Sequence, residues 1–508
     1  MKMVKSLLLG SAAGLVAMAG AQAADLPVKA KPVQYVKICS LYGAGFFYIP
    51  GSDTCLKIGG YVRTEGGYGN ALGSVTTGPI YGATSTRLSN DFIWRARGYA
   101  TFDIREQSAY GTVRGYMAIG YLWDNSTISG NAQSATASNI STSSLSSGLS
   151  VNRAFVQFAG FTMGVAPSFY DLYSSAAVGF FGAYPNSDSG DGGVKTFAYT
   201  AQFGNGFSGT LGVEESQRTQ VWVLNGANNL AATALSSTPA VPGDPGYGGF
   251  HWPDVVANLR VDQAWGSAQI MAMAHEVDPA YYVPAAALPS TGVGSGHPSD
   301  KVGYALGAGI KINVPQLGPG DWIQAQFNYT VGDSKIQFRS LGGGNALRWN
   351  GGNFGYGAVT DAVTNAYAVG AGLDLTKTIG FSASYEHFWN KVLHTTLYGG
   401  WAKVTYSDAA SASICSSMAA TVMTFAAATP CGSQNWSTWA IGSRTQWDIT
   451  KWFYVGVDIM YSKLQTANNG ATVTTLAANG AQPGGTVYSI NNQDAWAMRW
   501  RVHRDFGF

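Results

Sequence analysis

The sequence predicts an all-β protein, a 16-stranded antiparallel barrel that crosses a membrane. Three observations carry this. First, the chain closes on a two-faced strand. Trp496, Met498, Trp500, Val502, Phe506 and Phe508 share one parity, while Arg499, Arg501, His503 and Asp505 share the other. Successive strand side chains point to opposite faces, so one face is oily and the other wet. Second, only 11% of the 508 residues are charged, against roughly 25% in soluble domains, and there are 66 Gly, 27 Tyr and 15 Trp. Mean hydropathy is +0.02. Apart from a shorter N-terminal run, no segment approaches the ~20 apolar residues of a spanning helix. Third, the two-faced pattern recurs in runs of about ten residues, enough to cross a bilayer at a tilt.

The elements follow in order. Lys2 and Lys5, the apolar run Leu7 to Ala19 and the small-residue site Ala21-Gln22-Ala23 form a signal peptide over 1–23. The mature chain is expected to start at Ala24. Subtracting the two lysines from 30 basic residues leaves 28, against 28 acidic. A net charge of zero argues against a bulk preference for nucleic acid or for one sign of ion.

Residues 24–55 are expected to be a periplasmic or lumenal segment, with the barrel over 56–508. Cys39 and Cys55, like Cys415 and Cys431, lie sixteen residues apart. In an oxidising compartment two local disulfides are expected. A metal site is the weaker reading, because C-x-x-C spacing and a nearby His are lacking. No cofactor is expected.

In the first strands Leu56, Ile58 and Val62 alternate with Lys57, Tyr61, Arg63 and Glu65. Phe92, Trp94, Ala96, Phe102 and Ile104 alternate with Arg95, Arg97, Asp103 and Arg105. Val113, Met117 and Ile119 alternate with Arg114 and Tyr116, and Ala154, Val156 and Phe158 with Arg153 and Gln157. Later runs near 162–167, 194–203, 207–214, 255–262, 265–275, 302–312, 323–330, 394–406, 436–447 and 453–462 complete the set. A soluble sandwich would need neither such lengths nor a polar parity mixing Arg, Gln, Asn and Asp.

The stretch 366–389 decides the count. Read as two strands it gives seventeen, which leaves the chain ends on opposite sides. Val369, Leu373, Leu375, Ile379, Phe381, Tyr385 and Trp389 are all odd, and no Gly or Pro lies in Asp374–Thr378. We therefore read one long strand, and sixteen in all. Long loops at 67–90, 123–150, 167–193, 215–254, 277–300, 332–364, 407–435 and 465–493 are rich in Ser, Thr, Asn, Ala and Gly. That is the composition of flexible loops, with no second folded domain.

Tyr35-Val36-Lys37-Ile38-Cys39, Gly43-Ala44-Gly45-Phe46-Phe47-Tyr48-Ile49-Pro50-Gly51 and Thr54-Cys55-Leu56-Lys57-Ile58-Gly59-Gly60-Tyr61-Val62-Arg63 resemble the N-terminal signature of alphaproteobacterial (rhizobial) porins. Glu386-His387-Phe388-Trp389, Gly442-Ser443-Arg444-Thr445-Gln446-Trp447 and Arg501-Val502-His503-Arg504-Asp505-Phe506 resemble theirs too. The resemblance implies a trimeric, passive diffusion channel of the outer membrane with a third loop folded inward. Its partners would be membrane lipid, lipopolysaccharide, small hydrophilic solutes and ions. The chain departs from the family in ending Phe506-Gly507-Phe508, where Phe506 is the expected stop. Phe508 keeps the lipid parity and is expected to serve as the assembly signal.

The third loop is Ala166 to Val194. Phe169, Tyr170, Tyr173, Phe180, Phe181 and Tyr184 are too apolar for a loop in water, so it is expected to pack on the inner wall. Asp171, Asp188 and Asp191 either supply acidic groups at a constriction or merely solvate the loop. Arg63, Arg97, Arg114 and Arg153 are expected to form a facing basic wall, the alternative being pairs with Glu65, Asp103 and Glu106. Facing rows of opposite charge would set a transverse field on passing solutes.

The six His are scattered and suggest no catalytic constellation. His387 and His394 are read as lying at headgroup level. Aromatic stripes such as Trp94, Trp447 and Trp496 fit interfacial girdles. Asn125-Ser126-Thr127 and Asn139-Ile140-Ser141 are chance sequons. A ligand-selective channel or a surface-binding protein is the second reading of function.

Overall fold

A computed structural model describes residues 37–69, 92–124, 149–182, 184–190, 192–216, 223–224, 246–282, 296–339, 346–350, 352–366, 369–421, 423–475 and 485–507. The signal peptide, the two sequons, Asp191 and Phe508 lie outside the described residues. The main sheet has 17 strands, and setting aside the two-residue Phe47–Tyr48 leaves 16.

In chain order these are β1 Cys55–Gly69, β2 Phe92–Ser108, β3 Gly111–Asp124, β4 Leu149–Phe158, β5 Phe161–Ala166 and β6 Val194–Gly204. Next come β7 Phe207–Glu214, β8 Asp254–Gln263, β9 Gly266–Val277, β10 Lys301–Asn313 and β11 Trp322–Val331. The last are β12 Lys377–Phe388, β13 Leu393–Thr405, β14 Trp436–Thr450, β15 Phe453–Gln465 and β16 Gln493–Gly507. Each pairs antiparallel with its neighbours in the chain, and β16 pairs back onto β1 from Gly59↔Gly507 to Gly69↔Ala497. The sheet is thereby closed and has no free edge.

The strand lengths and alternation place the apolar parity outside. Trp94, Leu259, Phe381 and Trp496 are each more than half exposed. The opposite parity is buried and polar, as at Gln326, Ser382, Arg444 and Arg501. Exposed apolar rings on a closed barrel find their solvent in lipid. Short turns join β2–β3, β4–β5, β6–β7, β8–β9 and β14–β15 at one end of the barrel. Two of them place consecutive residues at positive φ, Ala159 (49°) with Gly160 (89°) and Asn205 (49°) with Gly206 (77°). That pair of signs is what a tight hairpin between twisted strands requires.

At this end residues 37–54 pack against the start of β1, through Phe47–Tyr48 pairing with Cys55–Leu56. The Cys39–Cys55 disulfide has formed, and it packs with Phe46 in a small buried cluster. Lumenal Lys57 donates to the Ala44 carbonyl (3.3 Å), and the Arg105 guanidinium lies 5.0 Å from the Phe46 ring centre.

The opposite end corrects two expectations. The stretch 366–389 is not one strand. Leu373–Leu375 pairs with Ala362–Thr364 in a separate three-stranded sheet, and β12 begins only at Lys377. Thr376 is the break. Its N–H goes to the Asp361 carbonyl, while its own carbonyl accepts from Gly332. Parity continues through such a junction because the chain stays extended, so sequence alternation alone does not register it.

Nor are the long loops merely polar tethers. Segments of 332–364, 407–435 and 465–493 fold together as a cap. It contains a five-stranded sheet (346–350, 353–357, 487–490, 472–475 and 423–425), a short helix α2 Lys335–Phe338 and a longer helix α3 Asp408–Thr421. A further short helix, α1 Ser175–Val178, lies in the third loop. Ser407 Oγ accepts the Ala410 N–H and caps α3. Ala410, Ile414 and Met418, spaced by four, form its buried stripe. The second disulfide, Cys415–Cys431, ties α3 to the chain that leads into β14.

Candidate functional site: the lumen and its third loop

The third loop crosses the lumen and is fastened at every stage. Phe169 N–H and Ser168 Oγ both donate to Glu214 on β7, each at 2.8 Å. The Phe169 carbonyl accepts from Asn258 Nδ2 on β8 (2.6 Å). Tyr173 N–H donates to Gln326 Oε1 on β11 (2.9 Å). Helix α1 follows, and then the tip. Phe180 N–H (2.6 Å) and Phe181 N–H (3.3 Å) donate to one oxygen of Asp458 on β15. Tyr398 OH donates to the other oxygen (2.7 Å), and Arg499 Nη1 donates to the Phe180 carbonyl (2.6 Å).

The loop's apolar residues explain why it lies on the wall. Tyr170, Tyr173, Phe181 and Tyr184 are each no more than 1% exposed. Two wall glycines make room. A Cβ at Gly309 would stand 2.5 Å from Leu172 Cδ2, and one at Gly400 would stand 2.4 Å from the Pro185 carbonyl oxygen. Tyr173, Phe181 and Tyr184 share one hydrophobic core with Phe354, Tyr356, Met418 and Trp436 of the cap and the chain entering β14. Loop and cap are therefore a single packed body.

That body covers most of the inner wall. Val256, Met271, Gln326, Ser382, Tyr398 and Met460, on β8 to β15, are all nearly inaccessible. On β1 to β4, Tyr61, Arg63, Thr101, Arg114, Tyr116 and Phe155 keep partial exposure.

Asp171 and Asp188 do not present free carboxylates. Asp188 accepts from Ser175 N–H (2.8 Å), Ser175 Oγ (2.6 Å) and Gly190 N–H (2.8 Å), all within the loop. Asp171 accepts from Ser189 N–H (2.7 Å), and its other oxygen lies 3.6 Å from Arg339 Nη1 of the cap. Burial pushes the Asp171 carboxyl up to about 7, against the opposing pull of Arg339. A loop folded into a lumen must satisfy its own amides, and these side chains do so.

The basic wall divides. Arg63 on β1 stands directly opposite Arg97 on β2 and His503 on β16. Just above, Glu65 is gripped by Arg501 (Nε and Nη2, each 2.8 Å), with Arg95 and Arg63 both at 3.7 Å. Arg153 is a tether, its Nη2 donating to the Gly190 carbonyl (2.7 Å).

Arg114 does not join Arg63 and Arg97. It is in register with Arg105, which faces Cys55, eight residues or ~27 Å down the strand from Arg63. There it forks onto Asp103 (3.1 and 3.0 Å) and donates to Gln157. Parity assigns a face, not a height, which is why the sequence grouped these arginines.

His394, one residue into β13, faces the lumen, hydrogen-bonded to Glu386 beside Arg444, because β13 turns its even residues inward. Sequence reasoning missed Asp458 as the anchor of the loop tip. Its parity was visible, but its partner lies 278 residues away.

A closed antiparallel barrel with an oily exterior, a polar interior and an inserted loop defines a transmembrane channel protein. The chain belongs to the Porin subfamily, whose family model matches residues 25–499. It is 31% identical over 271 residues to porin Omp2b of Brucella suis biovar 1 (strain 1330), a stretch covering 52% of this chain and 64% of that one. Against porin Omp2a of Brucella ovis the identity is 35% over 222 residues, covering 42% and 59%. Both matches span less than two thirds of the relative. The outer membrane channel DcaP of Acinetobacter baumannii superposes with a TM-score of 0.53 at 11% identity, covering 90% of this chain and 99% of that one. That likeness speaks for the fold.

Proposed function

We propose that the protein is a passive, water-filled channel of the outer membrane that admits small hydrophilic solutes and ions, a channel rather than an enzyme. One observation carries the reading: among the described residues, Tyr61, Arg63, Thr101, Arg114, Tyr116 and Phe155 on β1 to β4 keep partial solvent contact inside the barrel, with Arg97 buried beside them, while the loop and cap fill the other side. The passage then runs along a wall bearing Arg63 and Arg97, and it favours anions. Arg153 serves this wall by holding the loop back. Asp171 and Asp188 shape the loop, and the loop shapes the passage. Lipid and lipopolysaccharide would surround the barrel, and a homotrimer is the assembly proposed from the family.

The test is the reversal potential in planar bilayers under a salt gradient. Arg63→Ala with Arg97→Ala should shift selectivity toward cations, and Arg114→Ala, whose charge Asp103 already meets, should shift it less. Unchanged reversal potentials in the double variant would remove the basic wall from the proposal. The ordered cap favours a second reading, a solute-selective channel. Liposome swelling across a graded sugar series separates the two, since a simple sieve responds to size alone.

A further inference from the structure

The passage wall holds a feature that simple sieving does not require. Five rings stack in a belt from the loop tip across the barrel seam: Phe180, Tyr454, His503, Tyr61 and Tyr99. Successive centroids are 6.5, 4.6, 4.9 and 5.4 Å apart, and neighbouring planes differ by 20°, 14°, 27° and 20°. A guanidinium lies against three of them. Arg501 is 4.2 Å from the Phe180 centroid, Arg63 is 5.3 Å from Tyr61 and Arg97 is 5.6 Å from Tyr99. Lower on the same wall the motif repeats: Tyr116 and Phe155 stack at 5.3 Å, with Arg114 within 5.2 and 5.6 Å of their centroids.

Rings packed flank to flank cover one another's faces; Phe180, His503 and Tyr99 are buried, so the partly exposed Tyr61 presents the belt's rim to the passage, as Tyr116 and Phe155 do below. A ring's rim is the positive part of its quadrupole. Guanidinium planes resting on such rings are also positive, flat and held in place. Rims and forks together make an electropositive, low-entropy shelf. Its complement is a solute that is flat, electron-rich and anionic: a carboxylate carried on an aromatic ring. The ring's face meets the tyrosine rims, and the carboxylate meets a guanidinium fork. A ringless anion obtains only the second contact.

We propose that the passage contains a binding step for small aromatic carboxylates, formed by the Tyr61 rim, backed by Tyr99, with Arg63 and repeated at Tyr116 and Phe155. This rests on the channel reading above and names a solute class for it. The full chain is reconstituted in planar bilayers and its chloride current is followed as benzoate, or acetate as the ringless control, is added. Benzoate should reduce the current saturably, with a half-blocking concentration about 2- to 10-fold below that of acetate, the equilibrium effect of one edge-to-face contact.

Tyr61→Leu should shrink that ratio toward one, and Arg63→Ala should weaken both anions. Tyr116→Leu gives an independent reading if the first variant fails to fold. Equal block by benzoate and acetate, or a ratio unmoved in both leucine variants, overturns the inference while leaving the channel intact. A folded barrel that carries no current overturns both.

Discussion

Asp458→Ala tests whether the third loop is held open by its tip. The Asp458 carboxyl receives the Phe180 and Phe181 amides and the Tyr398 hydroxyl, all in a fully buried setting. Removing it orphans three donors. Each buried orphan costs about 1–3 kcal/mol, so the tip loses at least about 3 kcal/mol. At about 1.4 kcal/mol per decade, its seated-to-unseated ratio falls about a hundredfold. Arg499 also loses a neighbouring acid, which deepens the effect. The body of the loop stays fastened at Glu214, Asn258 and Gln326, so the tip alone swings.

Single-channel recordings should then show brief closures on the microsecond-to-millisecond scale of loop motion. Asp458→Asn, which keeps one carbonyl acceptor, should flicker less. Folding is checked by the heat-dependent mobility of the barrel on gels. Quiet open-channel traces in a folded Asp458→Ala protein would refute the view that this carboxyl holds the passage clear.

Two further predictions concern the cap and the loop. Cys415→Ser with Cys431→Ser opens a covalent ring of sixteen-residue separation, which should weaken the cap by about 3 kcal/mol. Protease should then cut near α3 faster while strand content stays unchanged, and an unaltered cutting rate would count against the staple. For pH, the Asp171 carboxyl is raised by burial to about 7. Between the ordinary carboxyl range near 4 and pH 7, the native loop keeps a proton that an unfolded chain has released. Stability therefore falls as pH rises through that window and levels off above it. Hydrogen exchange at the Ser189 amide, corrected for intrinsic rates, should show protection declining across the window, and Asp171→Asn should abolish the slope.

Much of the barrel was legible because membrane strands write themselves with period two. Arg499 and Arg501 inside, and Trp496 and Met498 outside, follow from parity alone. The even count followed from placing both chain ends on the same side. What parity omits is height and partnership. Arg114 and Arg97 share a face yet lie on different levels, and Asp458 shows nothing of its meeting with Phe180. The cap was hidden for a related reason. Tyr356, Tyr406 and Trp436 find partners far along the chain, as in the Tyr406 hydroxyl and Trp436 indole both donating to the Ala358 carbonyl. Only α3 carried a local signal, a capping Ser407 ahead of Ala410, Ile414 and Met418, and the abundance of Ser and Ala around it masked that stripe.

The seam between β1 and β16 sets the order in which the molecule can be completed. Every other pair of adjacent barrel strands is consecutive among the sixteen, but Glu65 and Arg501 meet across 436 positions. Neighbouring strands can pair soon after they emerge. The seam must wait for the last residues, and contacts so remote are the slowest to form. Until then two open edges are exposed, each a template for wrong pairing with another chain. Glu65 meanwhile lacks Arg501, the partner it will be buried with. A chain halted before Gln493 should thus accumulate as edge-joined aggregates, with completion timed by its final strand.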